Sequence, residues 1–214
     1  MESFWDHSWA NVDTQRIAQY VHQFDMEEDV LISALRERRV RTVCDAGCGC
    51  GVYVLKLLAH GFEVSGFDIS EHAVEVARKM QDSSTRKAEL KTADIMASGY
   101  ETDSFDAVIS RDVMDHMSKG DARIAISELM RITKAGGIVL MTLDHLDSEY
   151  EMESHDVSDD GDYVFTDGKW KGMVFHPYTK EEIMEMLPPG TACEVEDTGS
   201  ELVVRVIKSA AHSA

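Results

Sequence analysis

The chain has 214 residues, 43% of them apolar, with 40 acidic against 21 basic side chains and a formal charge of −19. A field of that sign repels nucleic-acid backbones and anionic lipid, so neither is an expected partner, and no apolar run reaches the ~20 residues of a membrane span. The length allows one domain with a sizeable core, and no Pro/Gly/Ser-rich linker divides it.

Met1 to Val12 is acidic and aromatic, unlike a signal peptide, and a cytoplasmic protein is expected. From Asp13 to Arg39, Ile17, Tyr20, Val21, Phe24, Val30, Leu31, Ala34 and Leu35 recur at helical spacing, which makes residues 1–39 an N-terminal helical cap. Val40 to Ala46 reads as the first strand and Val52 to His60 as the first helix, closed by Gly61. Between them Gly47, Gly49 and Gly51 alternate, so the backbone can approach a ligand closely before the helix begins. A dinucleotide fingerprint, G-x-G-x-x-G, needs its third glycine at position 52, which is Val52; this spacing argues against a nicotinamide-dependent reductase. Cys44, Cys48 and Cys50 crowd the same loop and Cys193 is remote, a pattern of thiols with neither a disulfide framework nor a metal site expected.

Phe62 to Asp68 is a second strand, Ser70 caps a helix to about Gln81, and Ala88 to Ala93 is a third, more polar strand. Phe105 to Ser110, a helix from Asp121 to Thr133 and a strand from Gly137 to Leu143 continue the alternation, which predicts an α/β fold with a doubly wound, Rossmann-like, mostly parallel sheet of seven strands. After Asp144 an acidic stretch without Lys or Arg runs to Gly168. Tyr163 to Thr166 and Lys169 to Phe175 flank Asp167-Gly168 as an inserted β-hairpin, and residues 145–178 are expected to form a lid over the acceptor. Thr179 to Glu182 is a capping box opening a short helix, and Cys193 to Glu196 with Leu202 to Ile207 supply an antiparallel pair at the sheet end.

Val43-Cys44-Asp45-Ala46-Gly47-Cys48-Gly49-Cys50-Gly51, with Asp68 ending the second strand, Asp94 after the third, and Leu129 to Gly137 before a buried strand, resembles the class I S-adenosylmethionine (SAM) dependent methyltransferases over about Arg41 to Ile207. The resemblance implies that Asp45 holds the methionine amino group of SAM. It implies that Gly47, Cys48 and Gly49 pass close to the methionine part, and that Asp68 accepts from both ribose hydroxyls. Ile69 would pack on adenine, Asp94 would accept from its amino group, Ile95 would offer a backbone N–H, and Arg111 joins this cofactor set. The usual L-K-P-G-G signature departs from its pattern here, with Ala135 in place of proline. Taken singly, Asp68 and Asp94 also read as turn formers.

A proton acceptor is expected from His176 or Tyr178, where the insertion returns to the core, or from His116 after the Phe105 strand. Trp9, Tyr20, Tyr163, Trp170 and His176 are the expected acceptor-binding residues, with Tyr163 and Trp170 reading equally as the hairpin's own small core. The acidic insertion reads as a solvated loop or as a field for cationic acceptors. The expected activity is methyl transfer from SAM, leaving S-adenosylhomocysteine, to nitrogen or oxygen of a small molecule, an amine being favoured, by a monomer or homodimer. The alternatives are a methyltransferase for peptide or protein amines and a non-catalytic SAM-binding protein.

Overall fold

The computed structural model describes residues 4–10, 17 and 24–209. Seven strands form one sheet in the order β3-β2-β1-β4-β5-β10-β9. Strands β1 (Thr42–Ala46), β2 (Glu63–Asp68), β3 (Glu89–Thr92), β4 (Phe105–Arg111) and β5 (Thr133–Asp144) run parallel. β10 (Glu201–Ile207) is antiparallel to both β5 and β9 (Ala192–Asp197). The last strand therefore slots between its two predecessors, while the pair read from the sequence closes the edge.

Both faces of the sheet are covered, which is why its central strands carry continuous apolar runs. On one face Val43, Val64, Ala107, Ile109, Leu140 and Val203 pack with α2 (Val30–Glu37) and α3 (Val52–Ala59). On the other, Cys44, Phe67, Val108, Met141 and Val204 pack with α5 (Lys119–Ile132) and α7 (Lys180–Met186). Helix starts follow local chemistry. Asp29 accepts from Leu31 and Ile32 to open α2, Ser70 accepts from Ala73 to open α4 (Glu71–Met80), and Thr179 with Glu182 forms the full capping box of α7.

Two elements differ from the sequence reading. β5 begins at Thr133, four residues early, because Phe105 pairs with Thr133 before an irregularity resets the register at Ala107 and Ile138. Gly136 takes φ 77° in that bulge. The insertion carries three strands rather than a two-residue hairpin: β6 (His155–Val157), β7 (Tyr163–Phe165) and β8 (Val174–Phe175). Tyr163 pairs with Phe175 and Val164 with Val174, so the loop is long, and Asp167-Gly168 opens a 3-10 turn around Trp170 instead of a tight hairpin. The acidic stretch before it folds into α6 (Ser148–Met152) and β6. Among the described residues no helix is long and apolar enough to cross a membrane.

Candidate active site

The five parallel strands end at one edge, and the crevice opens there beside β1 and β4, where the strand order reverses. A cavity of about 390 Å³ fills it. Its floor is the loop after β1. Gly47 and Cys48 both donate to the Phe67 carbonyl (2.8 and 2.9 Å), which ties the loop to β2. Gly47 has φ 79°, and a Cβ there would come within 2.5 Å of Val113. Gly49 has φ 51°, and its Cβ would meet the Trp9 ring at 3.1 Å. The glycines are thus required both by left-handed backbone and by close neighbours.

Asp45, Gly47, Cys48, Gly49, Asp68, Ile69, Asp94, Ile95 and Arg111 all line this cavity, together with Trp9 and His116 from the acceptor and proton-transfer sets. Asp45 is 2% exposed with Oδ2 buried and unpartnered, and burial pushes its carboxyl up to about 7 against the opposing pull of Arg111. A buried oxygen with nothing to accept is suited to an incoming ammonium. Asp68 is more constrained than the sequence suggested. Its Oδ2 accepts from Gly49 N and its Oδ1 from Ser70 N, both at 2.9 Å, so it staples the glycine loop to α4 as well as facing the cavity. Burial raises its carboxyl above the usual range, and the Ser70 and Gly49 amides oppose that. Asp94 accepts from Met96 N at 2.8 Å, and Ile69 stays 47% exposed at the rim.

The roof is α1 (Phe4–Ala10). Trp9 lies against Gly49, Asp6 accepts from Ser70 Oγ (2.8 Å), and Trp5 meets the His116 ring edge-on at 4.9 Å. Arg111 stacks on Tyr53 at 4.7 Å and has Asp112 3.7 Å away. Phe24, Tyr53, Asp112, Met117 and Asp121 also line the cavity, and none of them was read from the sequence as a site residue. Tyr53 was legible only as an aromatic ring in the first turn of a helix that, apart from Lys56, is aliphatic.

His116 is half-buried, with its side chain 9% exposed and its Nδ1 closed off without a partner; burial pushes its pKa down to about 4, so it is neutral at neutral pH. His176 and Tyr178 belong elsewhere. Neither lines the cavity. His176 is 2% exposed, its Nδ1 is 2.9 Å from Asp162, and its backbone N–H donates to the Asp115 carbonyl at 2.8 Å. Tyr178 stacks on it with ring centroids 4.3 Å apart, and burial raises the phenol well above its usual range. The chain turns inward after β8, so these rings lock the insertion to the core behind the cavity wall. Tyr163 and Trp170 are likewise outside the lining: Tyr163 lies on His155, and Trp170 on Tyr150 and Phe4, in the insertion's own apolar cluster. Tyr20 lies outside the described residues.

Residues 43–137 match the methyltransferase domain family. With the sheet order and the cavity at its switch point, this match supports a class I SAM-dependent methyltransferase domain with SAM as its cofactor. The malonyl-[acyl-carrier protein] O-methyltransferase of Salmonella typhimurium is 31% identical over 144 residues, covering 62% of this chain and 55% of that protein. A SAM-dependent methyltransferase structure from Methanosarcina mazei overlays with a TM-score of 0.70 at 18% identity, over 86% of this chain and 99% of the other. The phosphoethanolamine N-methyltransferase 2 of Haemonchus contortus, solved with SAM, gives 0.62 at 18% identity over 79% and 49%. The chain spans about half the length of the curated relatives it matches.

Proposed function

We propose that this chain transfers the methyl group of SAM to a nitrogen or oxygen of a small molecule, a cationic amine ahead of an alcohol. The observation that carries the reading is the cavity itself. Beyond Asp45, Asp68 and Asp94, which the cofactor takes, Asp112 and Asp121 face it; among the described residues one guanidinium, Arg111, opposes them, and Trp5 and Trp9 roof it. A site so charged favours cations, and an apolar roof excludes the water that would compete with the acceptor.

When bound, SAM supplies an activated methyl on a sulfonium. Asp45, with its orphaned Oδ2, is the partner for the cofactor's amino group, and Asp68 for the ribose diol. Ile69 and Ile95 cover the adenine, while Asp94 and the Ile95 amide read its edge. Arg111, the one Lys or Arg that lines the cavity among the described residues, is the partner for a carboxylate. His116 takes the acceptor's proton; among the three candidates it alone lines the cavity. The insertion, expected as an acceptor lid, bears on the site through His116: none of its described residues lines the cavity, and the buried Phe175 ring packs on His116 with centroids 5.6 Å apart. The whole chain acts as one domain, in the cytoplasm, as a monomer or homodimer without nucleic-acid or membrane partners.

Oxygen acceptors form the second reading, because several relatives are named as O-methyltransferases. The experiment is a screen of amines, phenols and carboxylic acids by release of S-adenosylhomocysteine. Turnover with amines supports the first reading, turnover with oxygen acceptors alone supports the second, and SAM binding without turnover on any of them contradicts both.

A further inference from the structure

Among the described residues three arginines are half-buried, and two of them direct their N–H groups to the protein. Arg131 donates to Glu128, Thr102 and the Tyr100 carbonyl, and Arg205 donates twice to Glu196. Arg111, on the cavity wall, donates no hydrogen bond to any described residue. The carboxylate paired with it, Asp112, has its Oδ2 3.7 Å away, too far for one, and is held on β5 by Thr142 Oγ1 at 2.5 Å. A half-buried guanidinium with its fork of donors left over suits a planar anion.

What holds Arg111 is a ring. Its guanidinium carbon lies 4.7 Å from the centroid of Tyr53, within cation–π range. Tyr53 is 5% exposed in the first turn of α3, and its hydroxyl lies 3.0 and 3.1 Å from the two oxygens of Asp29, to which it donates. Asp29 is fixed in turn, since it caps α2 and takes the buried Lys56 ammonium at 2.8 Å. Asp45 pairs with Ile109 on the adjacent strand, two residues before Arg111, so the Asp45 carboxyl and the Arg111 guanidinium rise from the same face of the sheet. An α-amino acid group needs such a pair. The geometry points to Tyr53 as the positioning residue for Arg111, its ring holding the guanidinium without occupying an N–H and so leaving the donors for the carboxylate of the methionine part of SAM. This rests on the methyl-transfer reading of the cavity.

A carboxylate would be a poorer support. Arg131 shows the alternative: its Nε and Nη2 both bond Glu128, so its charge is neutralised and its fork is filled. A guanidinium held on a ring face keeps both. The cavity makes this matter, because Asp45, Asp68, Asp94, Asp112 and Asp121 line it and repel an entering carboxylate away from Arg111. Without the ring, the guanidinium is free to close the 3.7 Å gap to Asp112 and lose its fork to that carboxylate.

The test compares two probes by calorimetry: S-adenosylhomocysteine and its decarboxylated analogue, which keeps the amino group and lacks only the carboxylate. The wild type should bind the first tighter by about tenfold or more. Arg111→Met should bring the ratio of affinities near one. Tyr53→Leu should lower it by about threefold or more with affinity for the analogue unchanged, a discrimination that general loosening of the wall would not produce. Tyr53→Phe, which keeps the ring and loses the bond to Asp29, should retain the wild-type ratio. A wild-type ratio in Tyr53→Leu, or an equal loss in Tyr53→Phe, overturns the proposal. An unchanged ratio in Arg111→Met instead overturns the assignment of Arg111 to a carboxylate, and wild-type protein that binds neither probe overturns the methyl-transfer reading. Where Tyr53→Leu does not fold, the wild type decides. Its Arg111 Nε–H proton resonance, assigned by its loss in Arg111→Met, should lie upfield of the free-arginine position through the ring current and should move with S-adenosylhomocysteine but not with the analogue. A resonance at the free-arginine position, or one that the two probes move equally, overturns the proposal.

Discussion

Replacing Asp68 by Ala separates two roles that the structure merges in one carboxylate. Its oxygens accept from Gly49 N and Ser70 N, and the group is 8% exposed at the cavity edge. Truncation removes the charge-assisted bonds offered to the ribose, worth about 1.5 to 3 kcal/mol, or roughly 10- to 150-fold in Kd. It also strands two amides near the loop, at a cost of about 1 to 3 kcal/mol each if no water reaches them. Asp68→Asn should spare one of these acceptor roles and lose the charge. Calorimetry with S-adenosylhomocysteine, beside thermal melts, resolves the two contributions. Ala should weaken binding at least tenfold and lower the melting temperature by several degrees, and Asn should fall between Ala and wild type in both. A folded Asp68→Ala protein with undiminished affinity would refute the placement of the ribose on this carboxylate.

Histidine variants should divide by location: His176→Ala loses a buried bond to Asp162 and about 2 to 3 kcal/mol of stability, whereas His116→Gln should slow transfer by about 10²-fold with its melting temperature nearly intact. The reverse pattern would return the proton acceptor to the insertion. Trp9→Ala, which uncovers Gly49, should weaken SAM binding by about tenfold in the same calorimetric assay; unchanged affinity would mean that α1 is no part of the cofactor's enclosure. Burial raises Asp45 to about 7 and Asp115 to about 8, while both ionise near 4 when unfolded, so the native state holds extra protons between these values. That contribution is complete below about pH 4 and lost as pH rises through 7 to 8. His116, pushed down to about 4, works the other way: its contribution is present above about 6.5 and is lost as pH falls. The ligand-free melting temperature should therefore decline from about pH 6 to about pH 8 and level off above it, and Asp115→Asn should flatten the decline. An identical slope in the variant would count against a buried, protonated Asp115.

The sheet and the cofactor residues were legible because their signals are local. Strand ends, the Ser70 cap and the alternating glycines each occupy a few adjacent positions, and the doubly wound topology then gathers Asp45, Asp68, Asp94 and Arg111 at one edge. The proton acceptor was less legible because it depends on which way a short insertion turns after its last strand. Phe175 and His176 are neighbours, yet Phe175 packs toward His116 while His176 turns to Asp162, fourteen residues earlier. Nothing in the spacing of that stretch announces this pairing. The three-stranded form of the insertion was hidden for a similar reason: β6 is three residues long and mostly exposed, so it carries no alternation to read. Asp115 looked like one more acidic residue, and only its complete burial sets it apart.

The most direct measurement is mass spectrometry of the acceptor after incubation with SAM carrying an isotopically labelled methyl group, across amines, phenols and carboxylic acids. The account predicts a labelled product one methyl group larger, formed in step with S-adenosylhomocysteine, with amines giving the most. Label that stays on SAM with every acceptor, in protein that binds SAM, would contradict it.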